Sequence, residues 1–556
     1  MAKKVFYDEE ARERVLGGAK ALYDAVKVTY GPKGRNVVIA KGYGGPTVTH
    51  DGVTVAEGME LPENDDETLG YKVGADLIKQ AAKNLNKSAG DGTTTVTVLT
   101  YNILKEANRL IAAGHNPMEL RKGIEAAGAE VVKALDGMSE SIEGNTERVA
   151  EVATISAGDA QIGTLIADVI EKIGKDGVVT VEAGQGLEME AEVVEGFSLD
   201  KGWASPFFVT DTNRQEAVFE KPSIVITDKK ISSASELLPL IEKLAQAGKK
   251  DIVLVADDVD GEALSILVLN KLKGVLNTVV VKAPSFGDRR KEIMADMAVL
   301  TGAQVISEDQ GMTFENVGLE VVGLARKVIV GKDETTIIEG VGHADEIAAR
   351  IKQISAQAEN ASSEYDKEQY EKRAAALSGK VAVIKVGGAT ETEIDEKKFR
   401  VDDAVAATKA ALAEGIVPGG GVTLVNLAKK LEVVNQSNKG IPSGNLTYFA
   451  GHQVVREALK QPFLQITANA GLNSEALLAQ VEDAKPGMGV DVMNPGKTLI
   501  DVKKAGVIDP TRVTKEAVQN AVSIASTAAT MGALVVDIPE KEASMPPMGG
   551  GMPGMM

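Results

Sequence analysis

The chain has 556 residues, 44% of them hydrophobic and 25% charged, a composition typical of a soluble globular protein of about three domains. Its net charge of −19 repels phosphate backbones and anionic membrane surfaces, so neither nucleic acid nor a membrane is an expected partner. The absence of cysteine excludes disulfides, thiol catalysis and cysteine-ligated metals. No apolar signal core follows the charged N-terminus and no apolar run approaches about 18 residues, so we expect a cytoplasmic location.

The N-terminal part of the chain is predicted to be mainly helical. Apolar residues recur every three to four positions over residues 8–29, which predicts an amphipathic helix with Asp8 as its cap. The Gly31-Pro32 turn ends that helix, and residues 36–40 have a strand composition. A second helix, with its apolar face over residues 69–85, ends at Gly90, and a third follows Thr93.

The middle of the chain has a different pattern. Residues 178–181, 187–193, 224–226, 252–255 and 279–281 read as strands, and helical stretches near 234–247 and 261–273 separate some of them. This alternation predicts an α/β domain with some parallel pairing, at about residues 196–379.

The last third returns to helical patterns. A charged helix is predicted over 343–378, closed by Gly379, and a strand over 381–386 precedes further helices. Helical flanks around an α/β segment predict an inserted domain. The Gly- and Met-rich residues 540–556 are predicted to form a flexible tail.

The stretch from Gly90 to Thr95, Gly-Asp-Gly-Thr-Thr-Thr, carries the strongest chemical signal. Its glycines allow close backbone approach, and the helix that follows offers unpaired N–H groups to phosphate. Asp91 supplies the hard oxygen that Mg²⁺ prefers. A simple glycine turn with a helix cap explains the stretch equally well from its residues alone.

Other candidates are weaker by themselves. Residues 29–36 and 419–421 contain glycine turns that suit either a nucleotide or an ordinary connection. Asp51, Asp403 and Asp509 could serve ATP hydrolysis, which needs a metal carboxylate and a group that orients water, but isolated carboxylates are usually caps or surface residues. Gly496-Lys497-Thr498 is not a P-loop, because position 491 holds aspartate where that motif needs glycine. The four histidines lack metal-ligand spacing.

Taken together, these segments resemble the group I chaperonins of the GroEL type. The motifs of that family occur here in the same order along the chain, at residues 29–36, 51–53, 90–95, 282–291, 419–421 and 508–510, and a similar Gly- and Met-rich tail follows them. The resemblance covers nearly the whole chain. It implies a multi-domain subunit, with a mainly α-helical equatorial domain (1–137 and 414–556), a small α/β intermediate domain (138–195 and 380–413) and an inserted α/β apical domain (196–379).

The resemblance also implies the site residues and cofactors of an ATPase. Asp403 would orient or activate the attacking water with help from Asp51, Asp91 would bind Mg²⁺, and a K⁺ would lie near the phosphates. The implied nucleotide contacts are Thr29, Tyr30, Gly31, Pro32, His50, Asp91, Gly92, Thr93, Thr94, Thr95, Gly420 and Asp509. His50 stands where the family usually has lysine, and Tyr30 where it has an aliphatic residue.

In the apical domain the resemblance implies a surface that binds non-native proteins and the lid co-chaperonin (GroES type). Its residues would be Trp203, Phe207, Phe208, Leu238, Ile241, Leu264, Val268 and Leu269. Their composition alone would place most of them in a core. The implied function is ATP-dependent chaperone action by a homo-oligomer of seven-membered rings, usually two, that encapsulates its clients.

Two other functions are compatible with parts of the sequence. A small-molecule kinase or metabolic NTPase would phosphorylate a metabolite stoichiometrically. A passive scaffold or holdase would bind ATP weakly or not at all, and the presence of Asp51, Asp91 and Asp403 argues against it.

Overall fold

Amphipathic helices and short apolar strands follow one another largely where the sequence predicts them. The computed structural model describes residues 2–40, 46–62, 67–175, 177–184, 186–211, 214–361, 363–437, 446–496 and 498–538. The predicted tail at 540–556 lies outside these residues.

The helices are α1 (Asp8–Val26), α2 (Gly52–Gly58), α3 (Tyr71–Ala89), α4 (Thr93–Ala112), α5 (Pro117–Asp136), α6 (Thr146–Ala157), α7 (Ala160–Ile173), α8 (Ala234–Gln246), α9 (Gly261–Leu272), α10 (Asp288–Thr301), α11 (Ala344–Glu359), α12 (Glu364–Leu377), α13 (Glu391–Glu414), α14 (Val422–Ser437), α15 (Leu446–Asn469), α16 (Ser474–Asp483) and α17 (Thr511–Ala529). Single 3₁₀ turns cover Lys27–Thr29, Pro206–Phe208, Glu308–Gln310 and Leu319–Val321. The described helices include none that is both long enough and apolar enough to cross a membrane.

The strands are β1 (Lys3–Tyr7), β2 (Val37–Ile39), β3 (Thr47–Thr49), β4 (Val178–Ala183), β5 (Glu190–Leu199), β6 (Ala217–Glu220), β7 (Ser223–Ile226), β8 (Lys230–Ile231), β9 (Asp251–Ala256), β10 (Asp258–Val259), β11 (Asn277–Lys282), β12 (Gly323–Val330), β13 (Thr335–Gly340), β14 (Lys380–Val386), β15 (Ile416–Pro418), β16 (Met488–Gly489), β17 (Ile500–Asp501), β18 (Ile508–Pro510) and β19 (Ala533–Asp537).

The chain divides into two compact units, residues 1–168 with 388–556 and residues 169–387. The two terminal flanks therefore pack together around an inserted segment, as the sequence pattern predicts. The finer division into equatorial, intermediate and apical domains stays a prediction.

The first unit is built on helices whose apolar faces share one core. α1 packs on α3, α4 on α17, and α5 on α15, and side chains such as Leu22, Ile78, Leu99 and Ile124 are fully buried between them. Short strand pairs lie on this helical body: β1 with β19, β2 with β3, and β15 with β18. The last pair matters for the site, because it sets residues 416–418 beside residues 508–510.

The second unit is built on a mixed sheet that, within the described residues, has nine strands in the order β11-β9-β7-β12-β13-β5-β14-β4, with β6 on β12. β11, β9 and β7 are parallel, as the alternation of strands and helices predicts, and their apolar side chains are buried on both faces. Helices α8 and α9 connect these strands and contribute Leu237, Leu244 and Leu267 to the same core.

Two local predictions are wrong. Asp8 does not cap α1: it is the first helical residue, and Tyr7 occupies the cap position without a side-chain bond. The single helix predicted over 343–378 is two helices, α11 and α12. The break is stabilised by Ser363, whose hydroxyl accepts the Asp366 N–H (3.0 Å) and donates to the Asp366 carboxylate (2.7 Å).

Candidate functional site

The turn between α3 and α4 requires its two glycines. Gly90 (φ 71°) and Gly92 (φ 85°) both adopt the left-handed conformation. A Cβ at Gly90 would lie 2.2 Å from the Ala406 Cβ, and one at Gly92 would lie 2.5 Å from a Val513 methyl. No described side chain caps α4, so the N–H groups of its first turn remain available to an anion.

The glycine-containing turn at residues 29–36 lies against the start of α4. The Tyr30 hydroxyl is 2.7 Å from the Thr95 hydroxyl, and the Thr29 hydroxyl is 3.4 Å from that of Thr94. Gly31 adopts φ 77°, and Pro32 follows it in the same turn. These contacts join residues 29–32 and 93–95 into one polar surface.

Asp51 and His50 reach the same surface from the β3–α2 connection. Asp51 caps α2 by accepting the N–H groups of Val53 (3.0 Å) and Thr54 (2.8 Å). A Cβ at Gly52 would lie 2.6 Å from the Thr94 hydroxyl oxygen, so α2 begins in direct contact with α4. Burial lowers the pKa of His50, and the nearby Arg400 charge lowers it further, against the opposing effect of Glu396 and Asp51.

Asp91 is held by two hydrogen bonds. One carboxylate oxygen accepts the Gly92 N–H (2.5 Å) and the other accepts the Ser156 hydroxyl (2.7 Å). Burial nevertheless raises its pKa, and the negative charge of Asp51 adds to that rise.

Asp403 projects from α13 towards the same carboxylates. Burial raises its pKa well above the usual range, and repulsion from Asp51, Asp91 and Asp402 raises it further. α13 packs against β3 and against the end of α3, where a Cβ at Gly90 would meet Ala406, so Asp403 lies on a helix beside the segments that carry Asp51 and Asp91, although the three come from distant parts of the sequence.

Asp509 and the three-glycine turn lie together because β15 pairs with β18. Val417 is opposite Asp509 in that pair, and the Gly420 N–H donates to the Asp509 carboxylate. Burial, with repulsion from Asp91, raises the pKa of Asp509 to about 7. A Cβ at Gly419 would lie 2.9 Å from an Asp509 carboxylate oxygen, so glycine is needed for this approach.

A divalent cation fits this arrangement. The described residues contain no cluster of three or more His, Asp or Glu side chains able to enclose a metal. Mg²⁺ does not need one, because it is commonly held by one or two carboxylates together with water and substrate phosphates. Burial and neighbouring negative charge raise the pKa of Asp91, Asp403 and Asp509, and a cation bound among these carboxylates would relieve that repulsion.

The structure adds residues that the sequence analysis missed. Ser156 on α6 donates to Asp91, and the Asn469 amide on α15 donates to the carbonyls of Lys27 and Tyr30 (2.9 Å each). Each is a single polar residue within a helix, and no local motif marks it.

The predicted client-binding residues lie in the second unit and differ in exposure. Phe207 is 61% exposed, and Leu238 and Leu269 are also exposed. Trp203, Leu264 and Val268 are half-buried against the core. Phe208 and Ile241 are buried in the core of the second unit, so in this conformation their side chains are not available to contact a client.

One comparison with known proteins shows a family, and a second shows a shared fold. The sequence profile of the TCP-1/cpn60 chaperonin family matches residues 22–538. The chain is also similar in structure to the chaperonin gp146 from the bacteriophage EL 2 (Pseudomonas aeruginosa), solved in the presence of ATP-BeFx. The TM-score is 0.66 at 20% sequence identity, over 97% of this chain and 99% of that one.

Proposed function

The chain belongs to the TCP-1/cpn60 chaperonin family, and we propose that it is an ATP-dependent chaperone of the group I, GroEL type. The observation that carries the proposal is the convergence of Asp51, Asp91, Asp403 and Asp509 around the uncapped start of α4. These carboxylates come from four separate segments, and their meeting at a helix start supports a site for a nucleotide phosphate and its cation.

Each part of this site has a chemical role in the proposal. The N–H groups and hydroxyls of residues 93–95 bind phosphate, with Thr29 and Tyr30 beside them. Asp91 would hold Mg²⁺ together with the phosphates, and the ion would supply positive charge to a phosphoryl group. Gly420 and Asp509 contact the nucleoside. A K⁺ near the phosphates is part of the proposal through the family resemblance alone.

Asp403 is proposed to orient and deprotonate the attacking water, with Asp51 assisting it. A carboxylate whose pKa is raised accepts a proton more readily than an ordinary aspartate does near neutral pH. Asp51 is engaged by the N–H groups at the start of α2, so its position is fixed relative to α4.

The second unit is proposed to bind non-native proteins and the lid co-chaperonin. Phe207, Leu238 and Leu269 expose apolar side chains, which can capture apolar segments of an unfolded chain without sequence specificity. Binding of ATP would favour a second conformation through its higher affinity for that state. The client would then be released into an enclosed chamber.

Assembly into rings, seven subunits each and two rings stacked, belongs to the same proposal. Two features of the first unit support self-association. Within the described residues the two-stranded β1–β19 and β2–β3 ribbons have unpaired edges, and Tyr7, Val38 and Val535 are exposed on them. Strand edges of this kind can be completed by a neighbouring copy. The cytoplasmic location stays a prediction.

The test is steady-state ATP hydrolysis by the purified protein with Mg²⁺ and K⁺, beside Asp403→Ala. We expect slow turnover that falls at least about a hundredfold in the variant while calorimetry still detects ATP binding. Asp395→Ala is the matched control, because Asp395 is an exposed carboxylate on the same helix.

The rival functions give other results. Turnover unaffected by Asp403→Ala would refute the proposed mechanism. Stoichiometric transfer of phosphate to a metabolite would indicate a kinase, and absence of hydrolysis in the wild type would indicate a passive holdase. Suppression of aggregation of an unfolded protein, measured by light scattering with and without ATP, tests the chaperone activity directly.

A further inference from the structure

Lys271, near the C-terminal end of α9, points its amine into a polar niche rather than into solvent. The Lys271 Nζ donates to the Phe208 carbonyl oxygen (2.7 Å) and to the Asn277 side-chain oxygen (3.1 Å). The Asn277 amide in turn donates to the Asp251 carboxylate (2.7 Å). The amine also lies 5.4 Å from the centre of the Phe219 ring.

The niche is an unfavourable place for a charge. Burial lowers the pKa of Lys271 to about 8, and Asp251 opposes this only in part. An apolar residue could cover the same surface without that desolvation penalty. The hydrogen bond to the Phe208 carbonyl therefore points to a specific task for the lysine.

That carbonyl belongs to a short segment, residues 203–209, whose main-chain bonds to neighbouring strands lie at its beginning, while the Phe208 side chain packs into the core. The Ala204 N–H donates to the Val280 carbonyl (2.8 Å), and Trp203 forms a bridge with Val281. Phe208 is buried with no exposed surface, whereas its neighbour Phe207 is 61% exposed. The position of Phe207 thus depends on what holds the 206–208 turn.

Lys271 holds this turn from the helix that carries the next exposed apolar residues. Leu269 and Leu272 flank Lys271 on α9 and are 48% and 66% exposed, and Val275 just beyond is 53% exposed. The Lys271 amine therefore connects the 206–208 turn to the end of α9 through a main-chain carbonyl. The side chains of Phe207, Leu269 and Leu272 remain exposed.

We propose that Lys271 is a positioning residue for client binding, which fixes Phe207 beside the C-terminal end of α9 so that Phe207, Leu269 and Leu272 act as one apolar surface. The inference rests on the proposed chaperone function. The ligand class is an apolar segment of an unfolded polypeptide, bound without sequence specificity.

The test compares Lys271→Met, which keeps the apolar stem and removes the donor, with Lys271→Arg, which keeps a charged donor. Lys273→Met is the matched control, because Lys273 is an exposed lysine two residues further along. The full-length protein is used throughout. The probe is reduced, carboxymethylated α-lactalbumin, a permanently unfolded polypeptide.

Two readouts are combined. Hydrogen exchange of the Phe208 and Val209 amides, which bond within the 206–208 turn, should accelerate at least about tenfold in Lys271→Met and recover in Lys271→Arg. Affinity for the unfolded probe should fall about threefold to tenfold, the range expected for one hydrogen bond of ordinary net strength. The effect of Phe207→Ser on that affinity should be smaller in the Lys271→Met background, because both changes disrupt the same surface.

The outcomes separate this inference from the function on which it rests. If the wild type binds the probe and Lys271→Met binds equally well, or is weakened only as much as Lys273→Met, the positioning role is refuted and the chaperone function stands. Unchanged exchange at residues 208–209 refutes it as well. If the wild type does not bind the probe, the proposed function fails and this inference fails with it.

Discussion

Asp296 on α10 is the buried centre of a four-residue ion-pair cluster, and its removal gives a sharp stability prediction. Its carboxylate is 1% exposed and accepts hydrogen bonds from Arg350 on α11 (2.7 Å) and from Arg373 on α12 (2.8 and 3.0 Å). Glu292, one turn earlier on α10, also pairs with both guanidinium groups (2.7 and 3.0 Å). The cluster therefore joins α11 and α12 to α10.

Asp296→Asn preserves the shape of the side chain and removes its charge. Breaking a buried ion pair by changing one partner typically costs about 3–5 kcal/mol, because the other charge stays buried. Since Glu292 remains to compensate the two arginines, we expect about 3 kcal/mol, the lower end of that range. At about 1.4 kcal/mol per factor of ten, the equilibrium constant for local opening should increase by roughly a hundredfold.

The assay is hydrogen exchange of the α10, α11 and α12 amides in the full-length protein, under conditions where exchange reports the opening equilibrium. Asp309→Asn is the control. The Asp309 side chain is 73% exposed, so its ion pair with Lys291 should contribute less than about 1 kcal/mol to stability. Equal effects of the two substitutions would show that burial of Asp296 does not set the strength of its ion pairs. Accelerated exchange confined to α10 would show that the cluster does not hold the other two helices.

Three further predictions follow from single contacts. The lowered pKa of Lys271 means that the unfolded chain binds more protons than the folded one between pH 8 and about 10.5. The unfolding free energy of the wild type relative to Lys271→Met should therefore rise across that window, by well under about 1.4 kcal/mol per pH unit since the Lys271 side chain is only partly buried. Tyr30→Phe removes the 2.7 Å hydrogen bond to Thr95, so KM for ATP should rise about threefold to tenfold with kcat little changed. Gly92→Ala should destabilise the protein by at least about 1–2 kcal/mol and weaken nucleotide binding, because a Cβ at φ 85° is strained and meets Val513.

Each of these has a result that would contradict it. Thermal unfolding from pH 7 to 11 tests Lys271, and a relative stability that stays flat or falls between pH 8 and 10.5 would show that its amine is not desolvated. Steady-state kinetics test Tyr30: a fall in kcat without a change in KM would place its hydroxyl in the chemical step. For Gly92→Ala, wild-type stability and nucleotide affinity in calorimetry would mean that the turn can relax.

Those parts of the site that depend on local backbone conformation could be predicted from the sequence. The glycines at 90 and 92 predict a turn between two helices, and the structure confirms that turn and shows that both glycines are left-handed. The parallel β7, β9 and β11 follow from short apolar runs separated by helical patterns, because buried parallel strands need continuous apolar residues. The break between α11 and α12 was missed, although Ser363 and Asp366 carry a recognisable capping pattern.

The remaining parts depend on tertiary packing. Asp51 and Asp403 are distant in sequence, and only the resemblance to a family assigned them to one site. Ser156 has no local signature, because its partner Asp91 lies 65 residues away. The exposure of Phe207 beside the buried Phe208 also depends on long-range contacts: two adjacent aromatic residues give no indication of which one faces the core.

The carboxylates of the proposed nucleotide site destabilise the folded protein at neutral pH, and this argues for a functional reason to retain them. A folded-state pKa raised above the unfolded value means that the folded chain binds more protons between those two pKa values. The contribution of Asp403 to the unfolding free energy therefore falls as pH rises from the unfolded pKa to the folded one. Asp91 and Asp509 act in the same direction. Hydrogen bonds from Ser156 and Gly420 offset the penalty only in part, because burial still raises the pKa of both carboxyl groups. A purely structural role would favour a neutral side chain at these positions, because it removes the repulsion. Aspartate gains an advantage only when a cation and phosphates enter between the carboxylates, since the attraction to the cation then exceeds the mutual repulsion.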